Sequence, residues 1–377
     1  MAGGEDAVEA GGAAASADDG GPGSAEPSLT RKVLQALVSL TVLVAIFWYV
    51  FQQVADVGDV WDAVRSLTLL EVLMLALMTV VNLISYWAVV VVATPGLTYP
   101  QAGVLTQSTT AVANSVPAGG AVAVGLTYSI MSSWGFSRSR STVMVVVTGI
   151  WNNFVKLGTP ILALALLALH GQPGGGKLLG ALAGLGGLAG AIVVFALILR
   201  NEGFAAKVGA TTARWASSIV RLFGRPPVQG WDRAVVKFRN RVVGLVRDRW
   251  VALTVATIVS HAALYAVLVT SLRVMGVSDA EVGWAPVLAT FAFARLLTAI
   301  PLTPGGVGVV ELALIAGMRG AGGDAALVVA AVLLFRALTY VLPILSGAFT
   351  YLYWRRNRSW RGSAPPLADE TPVGGGI

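Results

Sequence analysis

Four ionisable side chains fall inside stretches that are otherwise apolar: Lys156, Arg295, Glu311 and Arg336. An unpaired cation at the centre of a bilayer costs roughly 2.5–3.5 kcal/mol even on insertion scales, so each needs a partner, and charge at that depth marks function by default. The guanidinium fork suits phosphate or carboxylate. Arg295 and Arg336 are therefore candidates for holding a lipid phosphate, or one of them neutralises Glu311. A static pair that fixes helix packing is compatible with that role if it opens when a headgroup arrives.

Two segments rich in Gly and Pro interrupt apolar sequence close to these charges: ANSVPAGG at 113–120 and IPLTPGGVG at 300–308. Irregular backbone at membrane depth is tolerated only where it is buried in protein or lines a wet cavity, so both breaks are expected to border a pathway. In the first, Asn114, Pro117, Gly119 and Gly120 are the candidate path residues. In the second they are Thr303, Pro304, Gly305, Gly306 and Gly308. A helix is expected to start near Gly306 and to aim its free N–H groups and positive dipole end into the gap, with Glu311 about one and a half turns in.

The elements that must carry these groups are membrane spans. Of 377 residues, 56% are hydrophobic and only 12% charged, half the roughly 25% of a soluble domain, which excludes a water-soluble globule. Runs long enough to cross a bilayer fall near 33–51, 69–93, 142–169, 178–199, 250–272 and 325–354. Arg31 and Lys32 precede the first run, while Asp56, Asp59 and Asp62 follow it, which puts the N-terminus in the cytoplasm. The basic stretch from Arg200 to Arg249 and the cluster Arg355, Arg356, Arg358 and Arg361 belong on the same side. The broken segments, about 101–135 and 284–322, must then each return to the side they left. The fold expected is all-α: a polytopic membrane helix bundle with two re-entrant hairpins broken by Gly and Pro.

The hairpins resemble one another. Setting Gly119-Gly120 over Gly305-Gly306 brings Pro117 near Pro304, and AVAVGL continues against VGVVEL. Asn82-x-x-x-Tyr86 before the first is echoed by His261-x-x-x-Tyr265 before the second. After the hairpins come Lys156 with Pro160 and Arg336 with Pro343. Span, hairpin, span thus occurs twice in opposite orientation, the pattern of an inverted repeat whose substrate site lies where discontinuous helices meet.

The block IPLTPGGVGVVELALIAGM, followed by a span carrying LLFRALTYVLPILSGA, resembles the transmembrane region of lysylphosphatidylglycerol synthase and the flippase-like membrane proteins related to it. The family pattern IP-x-TPGG-x-G-x-x-E, with an Arg in the next span, falls on Ile300, Pro301, Thr303, Pro304, Gly305, Gly306, Gly308, Glu311 and Arg336. The earlier segment with Asn114, Pro117, Gly119 and Gly120 lacks the charged residue that the family often carries after those glycines. The resemblance covers roughly 30–355 and implies that the chain moves or binds a lipid. In two-part synthases a separate soluble domain transfers the amino acid; about twenty polar residues follow the last span here, so no enzyme activity is expected. Other members are associated with hopanoid or polyprenyl-linked lipids, so the resemblance leaves the headgroup open, and an anionic or polyprenyl-linked lipid is expected. A secondary transporter of a small solute, or a non-transporting membrane subunit of a lipid- or glycan-modifying complex, are the alternatives.

Other features read more plainly. Residues 1–29 and 356–377 are expected to be disordered cytoplasmic tails around a transmembrane domain at 30–355, in a multi-pass protein of the cell membrane. Within 201–249, Val235, Val236, Val242, Val243 and Val246 separate at helical spacing from Lys237, Arg239, Arg241, Arg247 and Arg249, which suits a helix lying on an anionic leaflet. Gly180, Gly184, Gly186, Gly187 and Gly190 are expected to let helices approach closely. His261 is read as a hydrogen-bonded packing residue and Glu71 as facing interfacial water. GQPGGGKL at 171–178 approaches phosphate-loop spacing but lacks the Ser or Thr for magnesium and follows a span instead of a strand. With no cysteine and two histidines, no metal site or other cofactor is expected. Membrane lipids are the expected partners and nucleic acid is not; a lipid- or glycan-modifying enzyme and a second copy of the chain are further candidates.

Overall fold

A computed structural model describes residues 65–116, 119–169, 175–208, 210–211, 217, 231–298 and 304–364. The run at 33–51 and the tail at 1–29 lie outside the described residues. Within them the chain is all-helical: α1 (Leu69–Ala93), α2 (Tyr99–Ser115), α3 (Gly119–Ser133), α4 (Arg138–Leu169), α5 (Gly175–Arg200), α6 (Trp231–Val274), α7 (Trp284–Leu297), α8 (Val309–Gly320), α9 (Ala325–Arg336) and α10 (Leu342–Arg356). Among the described residues five helical stretches are long and apolar enough to cross a membrane: α1, Arg138–Ala168, Leu182–Arg200, Val242–Val274, and α9 with α10 as one run from Ala325 to Arg356.

Local chemistry sets the boundaries. Thr68 and Thr98 form capping boxes with Glu71 and Gln101, so two of the free N-terminal N–H groups of α1 and α2 are satisfied before packing begins. Glu71 is thereby fixed at a helix start. Asp324 accepts from the N–H groups of Ala326 and Leu327 at the start of α9. The outward face of α1, with Leu70, Leu73, Leu77 and Ile84, is exposed and apolar, as a surface facing hydrocarbon must be.

The order long helix, two short helices, long helix occurs twice: α1, α2, α3, α4 and then α6, α7, α8, α9–α10. At 1.5 Å per residue the short helices are about 18–26 Å long, less than the ~30 Å hydrocarbon layer, whereas α1 reaches about 37 Å. Each pair has its own core. Val90, Leu105, Ile130, Met131, Val147 and Leu253 belong to the first. Leu268, Phe291, Leu314, Met318, Val329 and Phe335 belong to the second. The 44-residue α6 contributes to both.

Three expectations change. The basic stretch 231–249 is continuous with the span that follows it, so it extends α6 and is not a separate surface helix; Val242 at its end is fully buried, which anchors that extension. Residues 357–364, expected to begin a tail, fold back on the end of α3: the Ala364 N–H donates to the Trp134 carbonyl at 2.8 Å and the Trp360 ring meets Trp134 edge-on at 5.7 Å. Of the glycines in α5, Gly184 lies against Ile161 of α4, but Gly186, Gly187 and Gly190 meet no neighbour among the described residues.

A close helix crossing joins the two halves. Gly347 of α10 sits against the backbone of α2, where an added Cβ would collide with the Gln107 carbonyl oxygen and reach the Ala111 Cβ at 2.5 Å. Gly347→Val is expected to destabilise the protein by about 1–3 kcal/mol through overpacking, read as a lowered melting temperature in detergent. Gly186→Ala, into open space, is expected to stay within about 0.5 kcal/mol of the parent.

Candidate functional site

The second break owes its shape to glycine. Pro304–Gly306 form a single tight turn in which Gly305 adopts φ 61° and ψ 14°, and Gly308 caps α8 at φ 83°. A Cβ on Gly305 would strike the Tyr340 ring and lie 3.0 Å from the Asn114 Oδ1, so the left-handed conformation and the close approach both require glycine there. The α-helix consequently starts at Val309, three residues later than expected, and Glu311 falls in its first turn. The positive end of the helix dipole favours a carboxylate at that position.

Glu311 is 2% exposed and pairs with Arg336, whose Nε donates to Oε1 at 2.6 Å. Arg336 ends α9, and a single π-turn over Ala337–Val341 separates it from α10, with Pro343 just beyond. A proline inside a regular α-helix removes a hydrogen bond and clashes with the carbonyl one turn back; widening the turn relieves this and re-aims the side chains it carries. Two of these matter. The Arg336 Nη2 donates to the Gly305 carbonyl at 3.3 Å while its guanidinium lies 4.5 Å from the centre of the Tyr340 ring. The Tyr340 hydroxyl donates to the Asn114 carbonyl at 2.7 Å. One arginine thereby connects α8, the second break and, through Tyr340, the end of α2 at the first break.

Lys156 and Arg295 occupy a neighbouring position. Lys156 Nζ donates to Thr298 Oγ1 at 3.3 Å, and that hydroxyl donates to the Arg295 carbonyl at 2.6 Å. Arg295 lies within electrostatic range of Tyr86, Lys156, His261 and Arg336. Among the described residues neither Lys156 nor Arg295 has a carboxylate within ion-pair distance. Arg295 Nε and Glu311 Oε2 are buried there without a hydrogen-bond partner. Buried polar atoms are normally paired, and the partners of these two are not among the described residues.

Of the remaining path residues, Gly119 closes the first break: its N–H donates to the Val116 carbonyl at 3.0 Å, and a Cβ would collide with the Ala113 carbonyl oxygen. Gly120 faces open space and Gly306 packs beside Val310 and Thr298. Pro117 and Thr303 lie outside the described residues, and Pro304 begins the tight turn. The two breaks meet through Asn114, Gly305 and Tyr340, and Gly119 has no described contact with Gly305.

Beside this junction is a partly open cavity of about 260 Å³ among α1, α2, α3, α4 and α6, with hydroxyl-bearing residues from all five helices in its wall. Tyr86, named above only in the repeat, belongs to it, as do Thr106, Thr127 and Thr148, which were not singled out by their sequence. The available signal was Thr106, Thr109 and Thr110 at helical spacing on one face of α2. His261, expected to be a packing residue, also lines the cavity; its Nδ1 is bonded to the Thr257 carbonyl at 3.0 Å.

A family model described as lysylphosphatidylglycerol synthase TM region matches residues 36–347. No curated protein matches the chain.

Breaking a buried pair strands one charge, which costs about 3–5 kcal/mol, whereas replacing both partners with apolar groups is often neutral. Glu311→Leu and Arg336→Met are each expected to destabilise the protein by that amount, and the double substitution by much less than the sum. Chemical denaturation in detergent, arranged as a double-mutant cycle, measures this; additive losses would mean that the two side chains are not coupled.

Proposed function

The chain belongs to the lysylphosphatidylglycerol synthase TM region family, and from that premise we propose that it is a flippase that moves an anionic or polyprenyl-linked lipid between leaflets. It is a membrane-embedded protein of lipid biology by family and by the five long apolar helical stretches among the described residues. The observation that supports movement is the buried Glu311–Arg336 pair at the point where both helix breaks meet. A guanidinium already oriented by one carboxylate oxygen and one carbonyl offers its remaining donors to a phosphate, and the exchange of carboxylate for phosphate opens the pair as the headgroup arrives.

In this reading α2–α3 and α7–α8 are re-entrant hairpins that enter from opposite leaflets in an inverted repeat. The headgroup crosses beside Glu311, Arg336, Arg295 and Lys156 while the tails stay in lipid. The chain itself carries out no chemical step. In its minimal form the movement is equilibration down the lipid's own gradient. The location we propose is the plasma membrane with both termini in the cytoplasm, where the basic residues flanking α6 and α10 meet anionic lipid. A lipid- or glycan-modifying enzyme would supply or consume the lipid.

The test is reconstitution of the full chain in liposomes containing a fluorescent phospholipid, with dithionite reporting the fraction in the outer leaflet. The parent protein is expected to bring the inner-leaflet label within reach, and Glu311→Gln to slow this at least tenfold when equal amounts of folded protein are reconstituted. Failure of the parent with phosphoglycerol and polyprenyl-phosphate lipids alike would overturn the assignment. Uptake of a water-soluble solute into sealed vesicles without lipid movement would replace it with solute transport.

A further inference from the structure

A second concentration of charge lies where α10 ends. The helix closes on Arg355 and Arg356, and Arg358 and Arg361 follow in the loop 357–364 that folds back on α3. That loop is firmly held. The Asn357 Oδ1 accepts from the Ser359 N–H and hydroxyl at 2.9 and 2.7 Å, and the Asn357 amide nitrogen donates to the Tyr353 hydroxyl at 3.0 Å. Trp360 meets both Trp134 and Tyr353 edge-on, the Gly362 N–H donates to the Ser133 carbonyl at 3.3 Å, and Gln101 Nε2 donates to Ser363 Oγ at 3.1 Å. Arg355 and Arg361 are brought together by this fold-back. Both line one cavity of about 180 Å³, with Ser133, Trp354 and Asn357.

That cavity offers donors. Trp354 Nε1 donates to Ser133 Oγ at 2.9 Å, that hydroxyl donates to the Ile130 carbonyl at 2.6 Å, and the Asn357 Oδ1 already accepts twice. The side-chain donors that remain are the two guanidiniums and the second amide hydrogen of Asn357. Among the described residues none of the four arginines has a carboxylate within ion-pair distance. The C-termini of α3 and α10 together supply about one unit of negative partial charge, which four arginines outnumber. Two guanidiniums on one cavity repel each other, and an anion between them removes the repulsion. The volume is below the ~300 Å³ at which sites enclose a whole small molecule, so it suits a single oxyanion and not a nucleotide. A phosphomonoester carries about −1.5 to −2 charge at neutral pH, more than a phosphodiester or a carboxylate, and its terminal oxygens match two planar forks.

We propose that this cavity is a site for a dianionic phosphate, in which Arg355 from α10 and Arg361 from the folded-back loop hold one phosphate between them and so tie the loop to the helix. It stands apart from the proposed lipid path: at 1.5 Å per residue Arg355 is about 28 Å along the final run from Arg336, close to the thickness of the hydrocarbon layer. Ser133 ends α3, so occupancy also braces the end of the first pair of short helices against α10. Both arginines are exposed, which lets the same dianionic group arrive on a lipid of the adjoining leaflet or as free phosphate.

The full chain in detergent is titrated calorimetrically, at constant ionic strength, with inorganic phosphate, dihexanoyl phosphatidic acid and dihexanoyl phosphatidylglycerol. One phosphate is expected to bind per chain, and phosphatidic acid at least tenfold more tightly than phosphatidylglycerol, a phosphodiester with the same tails. A tenfold advantage of phosphatidic acid over inorganic phosphate would place the ligand in the leaflet; equal affinity would make it free phosphate. Arg355→Gln and Arg361→Gln are each expected to weaken binding at least tenfold. Arg358→Gln removes the same charge from a residue that does not line the cavity, and is expected to change binding less than threefold. Hydrogen exchange at the Gly362 and Ala364 amides is expected to slow at least threefold when phosphate is added to the parent, and to stay unchanged in Arg361→Gln, which reads the site independently of affinity. Equal losses in Arg358→Gln and Arg361→Gln would reveal a diffuse basic surface and overturn the site, as would phosphatidylglycerol binding as tightly as phosphatidic acid. Lipid movement in liposomes is a separate measurement: its failure would leave this site standing, and the loss of this site would leave the flippase reading.

Discussion

Two opposite charges at membrane depth are tolerable only in contact, and the pair between Glu311 and Arg336 imposes that requirement on everything around it. For the carboxylate to be there, α8 must begin late enough that Glu311 stands in its first turn, which the positive-φ glycines before it ensure. For the guanidinium to reach it, the last span must turn its side chains inward where Pro343 forbids a regular helix, which the π-turn accomplishes. Tyr340 then closes the arrangement against Asn114, so a contact between two residues also fixes how the two halves of the chain abut.

Much of this was legible because the bilayer simplifies the code. Length and hydropathy locate α1, α4, α5, the end of α6 and the final run, and a charge in an apolar stretch stands out without any knowledge of its neighbours. The breaks at Asn114–Gly120 and Pro301–Gly308 were visible for the same reason. What stayed hidden depends on which helices adjoin. No periodicity states that Arg336, and not Arg295, takes Glu311, or that Tyr340 lies under the guanidinium. The threonines of the cavity come from different helices, and each alone is an ordinary self-bonded residue. Local conformation caused the remaining differences: three positive-φ glycines delay α8, and tryptophan contacts hold residues 357–364 against α3 despite their polar composition.

The two cores show how the architecture keeps separate functions apart. Each pair of short helices has its own apolar cluster, and α6 runs through both. The halves are joined along whole helices, α1 against α6, α2 against α10 and α4 against α7, with the close approach of Gly347 to α2 and the polar chain from Arg336 through Tyr340 to Asn114 among the contacts that fix them.

The threonine wall bears on a difficulty that any carrier faces, namely letting go. A pocket whose polar atoms are satisfied only by cargo grips it and resists emptying, since departure strands buried donors. Here the hydroxyl protons of Thr106, Thr127 and Thr148 already rest on the carbonyls of their own helices, so these three residues strand no donor when the cavity empties.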